Sequence, residues 1–329
     1  MLLLQFSYAQ NNWQAFEKKL TEKKKILGED LVVLIANKDS ILYLKQKPTF
    51  TTRTAAPIAS SSKWLTAAFV LQLVDEGKIS LDDRVSKYLP EFEKYGKNYI
   101  TIRNCLSHTT GIQHESPRLT KILDRKKFQT LEEEVNFIAS REIQNNPGEA
   151  FRYNGMGLNI AARVVEVVTK KKFDMLIRQK LFVPLGMRNT TFSTLDGSAT
   201  NPSGGAKSTA ADYLKFLQML LNNGKFNGLT ILSEKSVGEL LKIHTTSDQM
   251  KQVPKAGEGY LYALGSWVVE AEGDRATSLT SPGLFGTFPL VDYKNEYVLL
   301  FFNKSFLGEQ KADAYMEIKK VIDTELNKN

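Results

Sequence analysis

Ser60-Ser61-Ser62-Lys63 sets a hydroxyl and an amine three residues apart at the start of a helix-spaced apolar segment. One helical turn brings such a pair onto the same face. An amine held beside a hydroxyl can take its proton, and a helix N-terminus adds free N–H groups and positive potential where an oxyanion forms in acyl transfer. The pattern alone is weak: with 21 Ser and 33 Lys, about two such pairs arise by chance, and serine at that position is also a common N-cap. The three histidines are a rival system, but no Gly-x-Ser-x-Gly elbow accompanies them. His108 reads as a hydrogen-bonded structural residue, and His114 and His244 as surface or loop positions. Cys105 falls in the apolar pattern of Ile102 and Leu106 and reads as core.

Positioning these groups falls to elements whose period changes along the chain. Trp13, Phe16 and Leu20 recur at helical spacing up to Gly28, and Leu31 to Ala36 and Ile41 to Leu44 read as a hairpin across Asn37-Lys38-Asp39-Ser40. Leu65, Ala68, Leu71 and Val74 carry a helix from Ser60 to Glu76, ended by Gly77. From Lys78 to Asn201 helical segments dominate: Thr101 to Leu106, Leu131 to Ser140, Gly157 to Val168 and Phe173 to Leu181. Another helix follows over Thr209 to Asn222. Strand periodicity returns in Leu261 to Glu270, Ala276 to Leu279, Phe285 to Asp292 and Tyr297 to Phe302, before a last amphipathic helix through Tyr315, Ile318, Ile322 and Leu326. Strands at both ends with helices between them predict an α/β (α+β) protein. Residues 11–77 and 205–329 would form one antiparallel sheet covered by the first and last helices, with a mostly helical domain inserted over 78–204.

The 329 residues, 42% of them hydrophobic, suffice for a substantial core. The net charge of +8 is spread among acidic residues, and no zinc-finger, helix-turn-helix or ribonucleoprotein signature accompanies it, so no nucleic-acid partner is expected. One cysteine excludes an internal disulfide, and no spacing suggests a metal or other cofactor. Residues 1–10, with Leu2, Leu3, Leu4 and Phe6 before Ser7-Tyr8-Ala9, read as the remnant of a signal peptide, hence a periplasmic or secreted protein, cytoplasmic if that segment is no leader. No apolar run approaches the ~20 residues of a membrane helix, and the oligomeric state is left open.

The Ser60–Lys63 motif keeps company that makes a family resemblance. Ile58-Ala59-Ser60-Ser61-Ser62-Lys63 is followed by Leu73-Val74-Asp75-Glu76-Gly77-Lys78-Ile79-Ser80-Leu81-Asp82-Asp83 and by Thr101 to Gly111, containing Ser107-His108-Thr109-Thr110-Gly111. Next come Pro184-Leu185-Gly186-Met187, Asn201-Pro202-Ser203-Gly204-Gly205 and Ser208-Thr209-Ala210-Ala211-Asp212. In this order the blocks resemble the serine beta-lactamase and penicillin-binding DD-peptidase superfamily, in its class C beta-lactamase and esterase branch. The resemblance implies that fold, Ser60 as acyl-accepting nucleophile, and Lys63 and Tyr153 as proton-handling partners, the amine lowering the phenol's pKa so that it acts as base. By itself, a tyrosine in such a loop would be packing.

Two motifs depart from the family pattern. Tyr153-Asn154-Gly155 stands where Tyr-x-Asn is usual, so Gly155 lacks the amide that contacts substrate in relatives, with Asn154 a candidate substitute. Ser281-Pro282-Gly283 replaces the usual Lys-Thr-Gly or His-x-Gly: Ser281 keeps a hydroxyl but no cation, Gly283 allows close approach, and the Leu284 N–H could join the Ser60 N–H as oxyanion donor. Trp64 and Phe285 are candidates for pocket wall or core. The implied activity is that of a serine hydrolase working through an acyl-enzyme, carboxylesterase-like on small esters or amides. The alternatives are a beta-lactamase or D-amino-acid peptidase, or a catalytically weak protein that binds or senses cell-wall fragments.

Overall fold

The structure is a computed structural model, and it describes residues 13–114, 128–304 and 313–327. The leader-like segment 1–10 lies outside the described residues. Period-two segments from the two ends of the chain join in one antiparallel sheet of seven strands among the described residues. From edge to edge these are Ile41–Lys45, Leu31–Ala36, Tyr297–Asn303, Phe288–Asp292, Arg275–Thr280, Trp267–Glu272 and Leu261–Tyr262. The closure between the ends pairs Leu31 with Asn303 and Ala36 with Val298.

Alternation sends successive residues of these central strands to opposite layers. Val33, Ile35, Leu299 and Phe301 meet Phe16 and Leu20 of the helix Gln14–Glu22 and Tyr315, Ile318 and Ile322 of the helix Asp313–Leu326. Val32, Leu34, Leu300 and Phe302 face the opposite way, into a core shared with the buried helix Ser62–Asp75 and with Ala210–Leu221. The first and last helices thus cover one sheet face, and the helix Ser62–Asp75 lies under the other. The segment between contributes Ile102–Leu106, Leu131–Ser140 and Met156–Thr169 to that same core. Threonine side chains start several of these helices: Thr101 and Asn104 form a capping box, and Thr130 and Thr209 accept from Glu133 N–H and Asp212 N–H.

Three details differ from the sequence expectation. The run Leu261 to Glu270 is two strands rather than one, broken at Gly265, whose φ is +74°. A Cβ there would lie 2.6 Å from the Ala67 Cβ and 2.8 Å from the Lys63 carbonyl oxygen, so the chain turns where it touches the helix Ser62–Asp75. The strand expected from Phe285 begins at Phe288, because 284–285 form a turn. A helix over Glu234–Leu241, capped by Ser233, is also present. No helix among the described residues is long and apolar enough to cross a membrane.

Candidate active site

Ser60 sits in a short 3-10 turn, Ala59–Ser61, leading into the helix Ser62–Asp75 rather than being its first residue. Ala59 has φ +43°, a left-handed conformation that costs an L-residue on the order of 1–2 kcal/mol and that the surroundings must hold. The anchors are visible. Ser61 Oγ donates to the Ser281 carbonyl at 2.7 Å, Tyr213 Oη donates to the Ser61 carbonyl at 2.8 Å, and Ser62 Oγ accepts from Ala206 N–H at 3.1 Å.

Lys63 lies one turn along, buried, with its amine 3.1 Å from Ser60 Oγ and 2.8 Å from the Ser203 carbonyl. Burial lowers its pKa to about 7, so near neutrality a large fraction of the amine is unprotonated and can accept a proton. The same amine lies 4.8 Å above the ring of Tyr153, whose hydroxyl hydrogen-bonds Ser60. The structure therefore brings Ser60, Lys63 and Tyr153 together. The phenol's pKa, however, moves opposite to expectation. Burial raises it to about 12, and the bond to Ser60 offsets only part of that rise. The reason is the wall behind it: the Tyr153 ring packs against Trp267 at 5.2 Å between centroids, with Phe151 and Tyr262 completing the cluster. Of the two groups, Lys63 is the one whose pKa lies near neutrality.

The remaining expected residues divide. Gly283 is pressed against the turn that carries Ser60, where a Cβ would lie 2.2 Å from the Ile58 carbonyl oxygen and 3.1 Å from Ser61 Oγ. Only glycine lets this segment lie so near, and it leaves Leu284 at the first position of the turn that follows. Ser281 is buried, and its hydroxyl points inward, within 3.3 Å of the Ser60 carbonyl and 3.2 Å of the Gly265 carbonyl. Asn154 is likewise engaged locally, donating to the Arg152 carbonyl and accepting from Met156 N–H, each at 2.8 Å. Gly155 adjoins Ser203: a Cβ at 155 would meet Ser203 Oγ at 2.5 Å, so the serine hydroxyl occupies the space a side chain there would need.

His108 is buried, with Nε2 3.1 Å from Tyr262 Oη and its ring 4.8 Å from that of Tyr153; burial and the nearby Lys63 charge hold it neutral, well below its ordinary pKa. It backs the site rather than completing a Ser-His pair. Trp64 is core, edge-on to Phe216. Ser203, named above only within its family block, meets Lys63 through a main-chain carbonyl, a contact that carries no side-chain signature. Asn159 could have been noticed, as a polar residue amid the apolar run Gly157 to Val168. No group of three potential ligands for a metal ion occurs among the described residues.

Comparisons with known proteins bear on the family and the fold. Protein flp of Staphylococcus aureus (strain MW2) is 32% identical over 152 residues, which are 45% of this chain and 29% of that protein's length. A provisional beta-lactamase from Bacteroides dorei DSM 17855 superposes with a TM-score of 0.81 at 26% identity, over 96% of this chain and 99% of its own. A family VIII carboxylesterase shares the fold, with a TM-score of 0.72 at 17% identity over 94% and 98% of the two chains. The sequence pattern of the Beta-lactamase family matches residues 13–321, and with a serine, a lysine and a tyrosine converging at the tip of its buried helix, this chain belongs to that family of serine hydrolases.

Proposed function

We propose that the protein is a carboxylesterase-like enzyme that cleaves small neutral esters or amides through an acyl-enzyme on Ser60. The observation that carries this reading is the buried Lys63 amine 3.1 Å from Ser60 Oγ with its pKa lowered to about 7. Ser60 Oγ attacks the carbonyl carbon as its proton passes to Lys63 Nζ. The oxyanion is held by the N–H groups of Ser60 and Leu284. Tyr153, protonated at rest, gives its proton to the departing oxygen or nitrogen and recovers one from the Lys63 ammonium. Water then attacks the acyl carbonyl, returning the proton to Ser60 Oγ and releasing the acid.

The substrate class follows from what the third motif offers. Ser281-Pro282-Gly283 presents no cation, and the Ser281 hydroxyl is turned toward the Ser60 and Gly265 carbonyls. A free substrate carboxylate would find no charged partner there, which disfavours beta-lactams and peptide C-termini. The carboxylesterase among the structural relatives is compatible with the preference. Nitrophenyl acetate and a chromogenic cephalosporin, assayed side by side, test it. Ester turnover that disappears in Ser60→Ala, with cephalosporin turnover far slower, is expected. Cephalosporin hydrolysis at a comparable rate would overturn the substrate class, and a wild-type protein that a fluorophosphonate probe does not label would indicate a binding protein instead.

A further inference from the structure

The Ser203 carbonyl that receives the Lys63 amine belongs to an irregular loop, and a loop carbonyl aims accurately only if its flanking peptide is fixed. Here the preceding peptide is gripped from two helices. Thr66 Oγ1, on the nucleophile helix one turn beyond the serine triplet, donates to the Pro202 carbonyl at 2.7 Å. On the other side Asn159 Oδ1, from the helix Met156–Thr169, accepts from Ser203 N–H at 3.1 Å. Asn159 is buried and its amide has two orientations, only one of which presents oxygen to that N–H. The choice is made by Glu134 on the helix Leu131–Ser140: its Oε1 accepts from Asn159 Nδ2 at 3.0 Å, which commits the amide nitrogen to Glu134 and leaves Oδ1 turned to the Ser203 N–H. Glu134 is itself buried.

We propose that Asn159 and Glu134 are positioning residues of the active site: through the Ser203 peptide they aim a main-chain carbonyl at the Lys63 amine and so hold that amine on Ser60. This rests on the reading of Lys63 as the base toward Ser60. The arrangement answers a gap in the second motif, since with Gly155 in place of a side chain, the Ser203 carbonyl is an anchor the lysine retains beside Ser60. The carbonyl also stabilises the ammonium form against the burial that lowers its pKa, so losing its aim would lower that pKa further. The titratable groups facing the amine are Tyr153, protonated in this range, and His108, held neutral.

The test is the rate of fluorophosphonate labelling of Ser60 against pH in the full chain, for wild type, Asn159→Leu, Glu134→Leu and Glu134→Gln. In both leucine variants labelling should slow by roughly tenfold to a hundredfold, and the rising limb of the profile should move to lower pH by about one unit. Glu134→Gln keeps an acceptor oxygen and should restore most of the rate and the limb. Slower labelling with an unmoved limb, or no recovery in Glu134→Gln, would overturn the inference in favour of a purely structural role. Should Asn159→Leu not fold, the two Glu134 variants decide alone. Ser60→Ala run in parallel separates the two levels: labelling that survives it overturns the underlying reading, whereas labelling lost in Ser60→Ala but unaltered in the leucine variants overturns this inference only.

Discussion

At the scale of single residues, the site depends on a lysine kept out of water. An exposed amine is protonated at neutral pH and cannot act as a base; burial brings Lys63 to about 7. Because only the neutral amine accepts the serine proton, acylation should rise with pH through about 7 and then level, as stopped-flow assays with an activated ester will show. Lys63→Met should lower kcat/KM by about 10²- to 10⁴-fold and abolish that rise. Tyr153→Phe keeps the ring that packs on Trp267 but removes the phenol, so a similar loss is expected with little change in Tm. The proximity of Ser60 and Lys63 was legible from their spacing, because helix geometry alone carries it. The direction of a side chain in a loop was not. Asn154 and Ser281, both candidates for substrate contact, spend their polar atoms on neighbouring backbone, which only the folded loops determine. Nor was the sign of the Tyr153 shift legible, since Trp267 and Tyr262 of the aromatic wall behind it lie more than a hundred positions away.

At the scale of elements, two glycines decide how closely other segments approach Ser60 and the helix that follows it. Gly265 splits an expected long strand where it meets Ala67 and the Lys63 carbonyl, and Gly283 lets the third motif lie on the turn that carries Ser60. Gly283→Ala would force a methyl to within 2.2 Å of the Ile58 carbonyl oxygen. Urea unfolding should report a loss of about 1–3 kcal/mol, together with a marked drop in kcat, because the proposed oxyanion donor Leu284 N–H would shift with the segment. Helix bounds were legible where the apolar period was clear, as over Thr101 to Leu106, Leu131 to Ser140 and Thr209 to Asn222. The strand breaks were missed because hydrophobic periodicity does not record a close backbone approach.

At the scale of the whole molecule, the sheet joins the chain's two ends and the last helix is fastened to it by charge as well as by packing. Lys319, buried, meets Asp292 at 2.7 Å, Glu270 at 2.8 Å and Asp323 at 2.9 Å, and Tyr297 Oη also donates to Asp323. Burial opposes the charge on this lysine, but its three carboxylate partners outweigh it and raise its pKa. Its contribution is therefore complete below the ordinary lysine pKa and lost only as strongly alkaline pH is reached. Lys319→Met strands Asp292 without a cation, and denaturant titration at pH 7 should show a loss of about 3–5 kcal/mol. The antiparallel sheet and its two covering helices were legible from the change of period along the chain; this buried charge cluster was not, because its members lie on three separate elements. An acyl-enzyme on Ser60 has one direct signature. Intact-mass and peptide mass spectrometry of enzyme quenched during turnover of a slowly deacylating ester should find one acyl adduct, on the peptide containing Ser60, absent in Ser60→Ala. Turnover with no adduct, or an adduct that persists in Ser60→Ala, would contradict it.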